Sequence, residues 1–243
     1  MRLDTLPIPT ILAHRGASAH APENTLTAFE LAREQCADGI ELDVKLSADG
    51  IPVIIHDERV DRTTDGSGTV ADLSLAALKE LDAGNGQQIP TLAEVFESIG
   101  QDLFINVELT NYTTKDDNLV EKVVEVVKEY KQEENILFSS FLPKNLKRAA
   151  KLLPEVPRGL LTLNNFGGWL LRSFLFGFGN YQALHPNWKN TNQFNVKRVR
   201  CMGRRVYSWT VNDPDQMRQL ADWGIDGIIT DDPALATKVL RTN

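Results

Sequence analysis

Along most of the chain, short apolar runs rich in β-branched residues alternate with amphipathic stretches. Alternating or continuous apolar runs mark strands and a period near 3.6 marks helices, so the pattern predicts βα units around a parallel sheet. The predicted strands are 10–13, 39–46, 103–109, 136–141, 159–163, 183–185, 206–211 and 227–230. The predicted helices are 24–36, 91–99, 116–130, 143–152, 192–202, 213–223 and 233–240. The helix from 213 is the best punctuated, with Asn212 or Asp213 as N-cap and Pro214 in its first turn. A ninth strand-like run, 52–56, follows strand 39–46 after only Ser47-Ala48-Asp49-Gly50. Four residues cannot make a parallel crossover, so this run is the antiparallel return of a hairpin. Removing it leaves eight parallel strands with helices between them, the plan of a (β/α)8 TIM barrel, whose sites lie at the carboxyl ends of the strands.

Between the hairpin and the helix at 91, residues 57–90 carry two glycine-rich turns, Asp65-Gly66-Ser67-Gly68 and Ala83-Gly84-Asn85-Gly86. They predict a small loop-rich insertion over the barrel mouth, after the second barrel strand. The whole chain, 1–243, is expected to form a single domain with 47–90 as hairpin plus cap; no long linker or solenoid repeat divides it. The aromatic segment 166–178 falls between the sixth and seventh barrel strands and is expected to be a helix packed on the barrel. An interfacial or substrate-wall role is its sharper alternative.

Composition narrows the class further. With 42% hydrophobic residues in 243, the chain can bury one large core. Twenty-six basic residues against 33 acidic ones give a net charge of −7, which disfavours nonspecific nucleic-acid binding. No segment has the apolar length of a membrane span and residues 1–9 do not form a signal peptide, so no stable membrane insertion and a cytoplasmic location are expected. Cys36 and Cys201 are far apart and are expected to be inert, partly buried thiols rather than a disulfide or zinc site.

Polar groups that a core strand would exclude recur at strand ends. His14 and Arg15 end the first strand, Glu41 and Asp43 lie in the second, His56 ends the hairpin return, and Glu108 ends the next parallel strand. Glu41 and Asp43 are two apart and share one face, where adjacent carboxylates repel unless a cation or protons neutralise them. Together with Glu108 they offer three hard oxygen donors, which suit one Mg2+, Ca2+ or Mn2+ ion better than zinc. If Ser47 opposes Gly50 in the hairpin, His56 faces Glu41; if Ala48 opposes Ile51, it faces Asp43. Either register puts the imidazole on the carboxylate face. Two histidines, each titrating near neutrality, can divide general-base and general-acid roles across a substrate. Arg15 offers a planar fork of donors to an anionic oxygen. His20 and His185 are read as structural. A zinc amidohydrolase on the same plan is disfavoured, since no His-x-His pair follows the first strand.

Several ordered motifs carry a family resemblance: Ala13-His14-Arg15-Gly16-Ala17, Pro22-Glu23-Asn24-Thr25, Glu41-Leu42-Asp43-Val44, Pro52-Val53-Ile54-Ile55-His56-Asp57, Asn106-Val107-Glu108, Trp209-Thr210-Val211-Asn212 and Gly227-Ile228-Ile229-Thr230-Asp231. Over nearly the whole chain the sequence resembles the glycerophosphodiester phosphodiesterases. That resemblance implies a phospholipase-C-like TIM barrel acting in lipid and glycerol metabolism. It implies metal-dependent hydrolysis of small-molecule glycerophosphodiesters to sn-glycerol 3-phosphate and an alcohol. By the same resemblance His14 and His56 are the acid/base pair, Glu41, Asp43 and Glu108 the metal ligands, Arg15 a phosphate contact and Trp209 the glycerol-side wall. The nucleophile stays open between water on the metal and the substrate's glycerol 2-hydroxyl, as do the assignment of acid and base and any homo-oligomer. One departure stands out: where the family often has Lys two residues after its last ligand, this chain has Thr110, so Lys45 or Lys115 is expected to compensate. A related phosphodiesterase acting on lysophospholipids or phosphoinositides, and a catalytically silent phosphodiester-binding barrel, are the alternative readings.

Overall fold

The computed structural model describes residues 2–241 apart from 115, 116, 164 and 174. Nine strands form one sheet: β1 (Thr10–His14), β2 (Gly39–Leu46), β3 (Pro52–Ile54), β4 (Phe104–Leu109), β5 (Ile136–Ser140), β6 (Arg158–Thr162), β7 (Ala183–Pro186), β8 (Arg205–Ser208) and β9 (Gly227–Thr230). The strand order is β1-β9-β8-β7-β6-β5-β4-β2-β3, and a further parallel pairing of β1 with β2 closes eight strands into a barrel. Among the strands of the described residues only β3 runs antiparallel, along β2. The predicted TIM barrel is therefore the observed fold.

Strand alternation sorts the side chains. Odd positions of β2, Glu41 and Asp43, face the barrel interior, while Leu42 and Val44 join the shell between strands and helices. That shell includes Phe29 of α1 (Leu26–Glu34), Val95 of α3 (Leu92–Ile99) and Val123 of α4 (Leu119–Glu129), beyond a short α2 (Leu75–Lys79). Each fully buried Leu, Ile or Val contributes about 1.5–3 kcal/mol. A second cluster, Leu6, Leu12, Phe104, Leu137, Ala183, Tyr207 and Ile229, plugs the amino end of the barrel. The remaining helices, α5 (Pro143–Leu152), α6 (Phe166–Ser173), α7 (Gln193–Cys201), α8 (Pro214–Asp222) and α9 (Pro233–Arg241), complete the outer ring. Polar caps start them where the sequence offers one: the Thr25 hydroxyl accepts from Ala28 N, Thr91 and Glu94 form a capping box, and Asp213 accepts from Asp215 N and Gln216 N.

Two expectations need correction, the hairpin register and the burial of the cysteines. The hairpin register pairs Lys45 with Val53, between the two alternatives, and its continuation would turn His56 to the outer face with Leu42. His56 reaches the site because β3 ends at Ile54 and the chain leaves the ladder after Ile55 N donates to Asp43 O at 3.0 Å. Residues 57–90 are loop-rich but carry α2, an Arg59–Thr69 bridge and, with Val53 and Ile55, a small core of Val60, Val70, Leu78, Ala83 and Ile89. Their apolar residues follow no regular period, so periodicity could not reveal them. Cys36 and Cys201, expected to be partly buried, are both exposed near helix ends. In the aromatic segment α6 covers Phe166–Ser173 and a 3-10 turn Leu175–Phe178, with Phe176 buried against Tyr181 and with Trp169 and Phe178 exposed. Among the described residues no helix is long and apolar enough to cross a membrane. Lys115 lies outside the described residues, as does the predicted start of α4 at Asp116.

Candidate active site

At the carboxyl ends of the strands a cavity of about 230 Å3 opens. His14, Arg15, Glu41, Asp43, His56 and Glu108 line one side of it, and Phe141, Leu161, Leu163, Trp209 and Ile229 the other. All seven residues singled out from the sequence thus meet in one place. The β2–β4 register sets Asp43 beside Glu108, and the β1–β2 register sets His14 beside Glu41.

The acidic half is tightly built. One carboxylate oxygen each from Glu41, Asp43 and Glu108 lies within 4.8 Å of the others. Burial, then repulsion by Asp43 and Glu108, holds Glu41 well above the usual carboxylate range; burial and Asp43 push Glu108 up in the same way. Asn24 donates to Asp43 Oδ2 at 3.0 Å, and Tyr112 donates to Glu108 Oε1 at 2.6 Å. The Glu108 hydrogen bond and repulsion, with burial as the larger cause, raise the Tyr112 phenol, which stays a donor. Three hard oxygens that resist simultaneous ionisation fit a divalent cation of the Mg2+, Ca2+ or Mn2+ type, which would relieve their repulsion. Arg15 is the nearest cation: Nε sits 3.2 Å from Asp43 Oδ2 as an ion pair without hydrogen-bond alignment, and Nη1 donates to Glu23 at 2.8 Å. Its main chain adopts φ of +57°, followed by Gly16 at +82°. This turn brings Arg15 N to Glu41, 2.9 Å from the carbonyl and 3.1 Å from Oε2. A Cβ on Gly16 would lie 2.6 Å from the Ala28 carbonyl carbon, so glycine is required there.

Each imidazole is backed by a carboxylate. His14 Nδ1 meets Asp231 Oδ1 at 2.6 Å, and His56 Nδ1 meets Asp57 Oδ1 at 2.6 Å. A carboxylate on Nδ1 fixes the proton there and leaves Nε2 for the cavity. His14 Nε2 is 4.0 Å from Glu41 Oε2. Asp231 is steadied by Ser18 Oγ at 3.2 Å and Asn212 Nδ2 at 2.5 Å. Although burial alone would raise Asp231, its bonds from His14, Asn212 and Ser18 lower it.

On the apolar side, Trp209 anchors its indole N–H on the His185 carbonyl at 2.8 Å and meets Phe141 edge-on at 5.6 Å, while Phe141 meets Tyr112 at 5.6 Å. The Lys45 ammonium, 6% exposed, sits on the Thr110 carbonyl at 2.9 Å and on Glu58 at 3.0 Å. A positive charge therefore stands beside Thr110. His185 is fully buried at the barrel centre and lies outside the mouth, while His20 pairs with Gln35 and Asp232. The sequence marked no site role for Glu23, Asn24, Asp57, Arg62, Tyr112, Asp231 or Asn212, the last read only as a possible helix cap. Glu23, Asn24, Asp57, Asn212 and Asp231 lie within the quoted motifs; for Arg62 and Tyr112 the sequence held no signal.

A closed parallel barrel with histidines and acids gathered at its carboxyl end is the architecture of a TIM-barrel enzyme. The model of the glycerophosphoryl diester phosphodiesterase family matches residues 14–235. A glycerophosphodiester phosphodiesterase of Caldanaerobacter subterraneus subsp. tengcongensis is 40% identical over 240 residues, 95% of this chain and 97% of that protein. One from Bacillus subtilis is 31% identical over 258 residues, 95% and 86% of the two chains. Among solved structures, an Oleispira antarctica phosphodiesterase in complex with the product sn-glycerol-3-phosphate superposes with a TM-score of 0.87 at 34% identity, over 96% of this chain and 97% of that one. A Thermotoga maritima glycerophosphodiester phosphodiesterase gives 0.78 at 32% identity, over 95% and 98%. The chain belongs to the glycerophosphoryl diester phosphodiesterase family, and it is a phosphoric diester hydrolase.

Proposed function

We propose that the whole chain acts as one catalytic unit that hydrolyses glycerophosphodiesters to sn-glycerol 3-phosphate and an alcohol. In this reading His14 and His56 are the acid/base pair, and Glu41, Asp43 and Glu108 hold one divalent cation. The observation that carries it is the pair of carboxylate-backed imidazoles, from two different elements, lining one cavity with the acidic trio. The relative from Oleispira, which holds sn-glycerol-3-phosphate, supports the choice of substrate.

When bound, the cation supplies Lewis-acid neutralisation of phosphate charge. Arg15 adds to this from beside the trio, with donors beyond those given to Glu23 and Asp43. One imidazole takes the proton of the attacking oxygen at Nε2, and the other returns a proton to the leaving alcohol. Each such transfer is worth about 100- to 10,000-fold. The apolar wall of Trp209, Phe141 and Leu161 excludes water from the carbon side of the substrate. Lys45 provides the charge that Thr110 does not.

The test is a coupled glycerol 3-phosphate assay over a panel of glycerophosphodiesters, with choline release followed in parallel for lysophosphatidylcholine, each with Mg2+, Ca2+, Mn2+ or EDTA. Wild type should release glycerol 3-phosphate only with metal, and His14→Ala and Glu41→Ala should stay folded and lose at least about 100-fold in turnover. Choline release from lysophosphatidylcholine with no glycerol 3-phosphate from any glycerophosphodiester would shift the substrate class, and unimpaired variants would overturn the site assignment.

A further inference from the structure

The two imidazoles are braced differently. Asp231, behind His14, is held by Ser18 and Asn212, which sit on loops of the barrel itself. Asp57, behind His56, is held by a single side chain of the insertion: Arg62 donates through Nε to Oδ2 at 2.5 Å and through Nη2 to Oδ1 at 3.2 Å. The other edge of that guanidinium grips Glu23, Nη1 to Oε2 at 2.8 Å and Nη2 to Oε1 at 2.7 Å. Glu23 passes to Arg15 at 2.8 Å, and Arg15 to Asp43 at 3.2 Å. Behind His56, an unbroken series of alternating charges, Asp57–Arg62–Glu23–Arg15–Asp43, thus crosses the mouth and joins the insertion to the barrel.

His56 needs such a brace. It lies past the end of β3, where no ladder fixes its backbone, and its side chain is 42% exposed. A planar fork with donors on two edges grips both carboxylates in a fixed two-bond geometry at once, which the point charge of an ammonium reproduces only in part. Glu23 and Asp57 are both held down to about 2, so these two carboxylates stay ionised throughout the neutral range: hydrogen bonds from Arg62 lower Asp57, and those from Arg62 and Arg15 outweigh burial at Glu23. Arg62 itself is 48% exposed. Ion pairs so open to water add little to global stability, which argues for alignment rather than folding as the use of this one.

We infer that Arg62 is a positioning residue that orients the His56 ring through Asp57 and locks the insertion onto the barrel mouth through Glu23. This rests on His56 being one of the acid/base pair. The predicted effect lies in kcat: Arg62→Ala should lower it about 10- to 100-fold, the usual range for a lost supporting partner. KM should stay within about threefold, because no substrate contact is removed. Arg62→Lys should recover part of the loss and Glu23→Gln should reproduce part of it, while Arg59→Ala, in the same insertion but paired with Asp61, should leave kcat unchanged. Histidine-selective 15N NMR, with His56→Asn for assignment, should show the His56 ring in one Nδ1-protonated form in wild type and in mixed forms in Arg62→Ala. An Arg62→Ala enzyme with wild-type kcat and an unaltered His56 signal overturns the inference. If wild type turns over but His56→Asn does so equally well, the acid/base reading falls, and the NMR comparison alone decides whether Arg62 holds the ring.

Discussion

Four acidic side chains around the mouth share one functional group and behave in opposite ways. Glu23 and Asp57, gripped by guanidinium groups, are pulled far down and act as permanent anionic braces. Burial and mutual repulsion push Glu41 and Glu108 up, so they hold a proton or a cation instead. Environment, not residue type, divides braces from cradle. Tyr112 tunes the cradle, since its hydroxyl bond favours the ionised form of Glu108. Tyr112→Phe should therefore raise Glu108 further and let protons compete better with metal. Calorimetric titration with Mn2+ should show affinity at pH 7 about 10-fold weaker, in the range of lost supporting partners, with the deficit closing as pH rises. Equal affinities at pH 7 would remove Tyr112 from the site.

At the scale of elements, β2 shows what is legible in a sequence and what is not. Its period of two sets Glu41 and Asp43 inward and Leu42 and Val44 outward, and eight such runs separated by helical periods fix the barrel. Glu108 followed from the same reasoning, because parallel neighbours end on one rim. His56 was placed correctly by a register that does not occur: the ladder stops early, and a main-chain exit has no periodic signature. The same limit hid Arg62 and Tyr112, whose partners are set by loops, and the small core of the insertion. That core has a testable consequence. Leu78 is fully buried on α2, and Leu78→Ala should cost about 2–5 kcal/mol within the insertion. Because Arg62 and Asp57 ride on that unit, amide exchange across 57–90 should quicken and kcat should fall, while the far-ultraviolet dichroism of the barrel persists. Unchanged turnover despite faster exchange would show that the insertion need not be ordered for catalysis.

For the molecule as a whole, two buried features pull stability in opposite directions with pH. His185 sits fully buried beside Tyr207, and neither ring nitrogen finds a partner among the described residues; burial lowers it to about 3. The unfolded chain, with histidine near 6.5, binds the extra proton, so stability falls as pH drops from about 6.5 toward 3, by up to about 1.4 kcal/mol per unit. His185→Leu should flatten that acid limb in urea titrations. The trio does the reverse when no metal is present. Glu41 and Glu108 titrate above their unfolded values, so the stability they add is complete below about pH 4.3 and is lost as pH rises through their folded values. Bound metal replaces those protons and abolishes the loss, adding stability that follows its affinity. Subtracting melting curves in EDTA from curves in saturating Mg2+ or Mn2+ cancels the His185 contribution, which is common to both. The remaining increment in Tm should grow from pH 5 to pH 8, with proton release on binding; in a Glu41→Gln, Glu108→Gln variant it should be small and flat. An increment independent of pH in the wild type would mean that the three carboxylates are not where the cation binds.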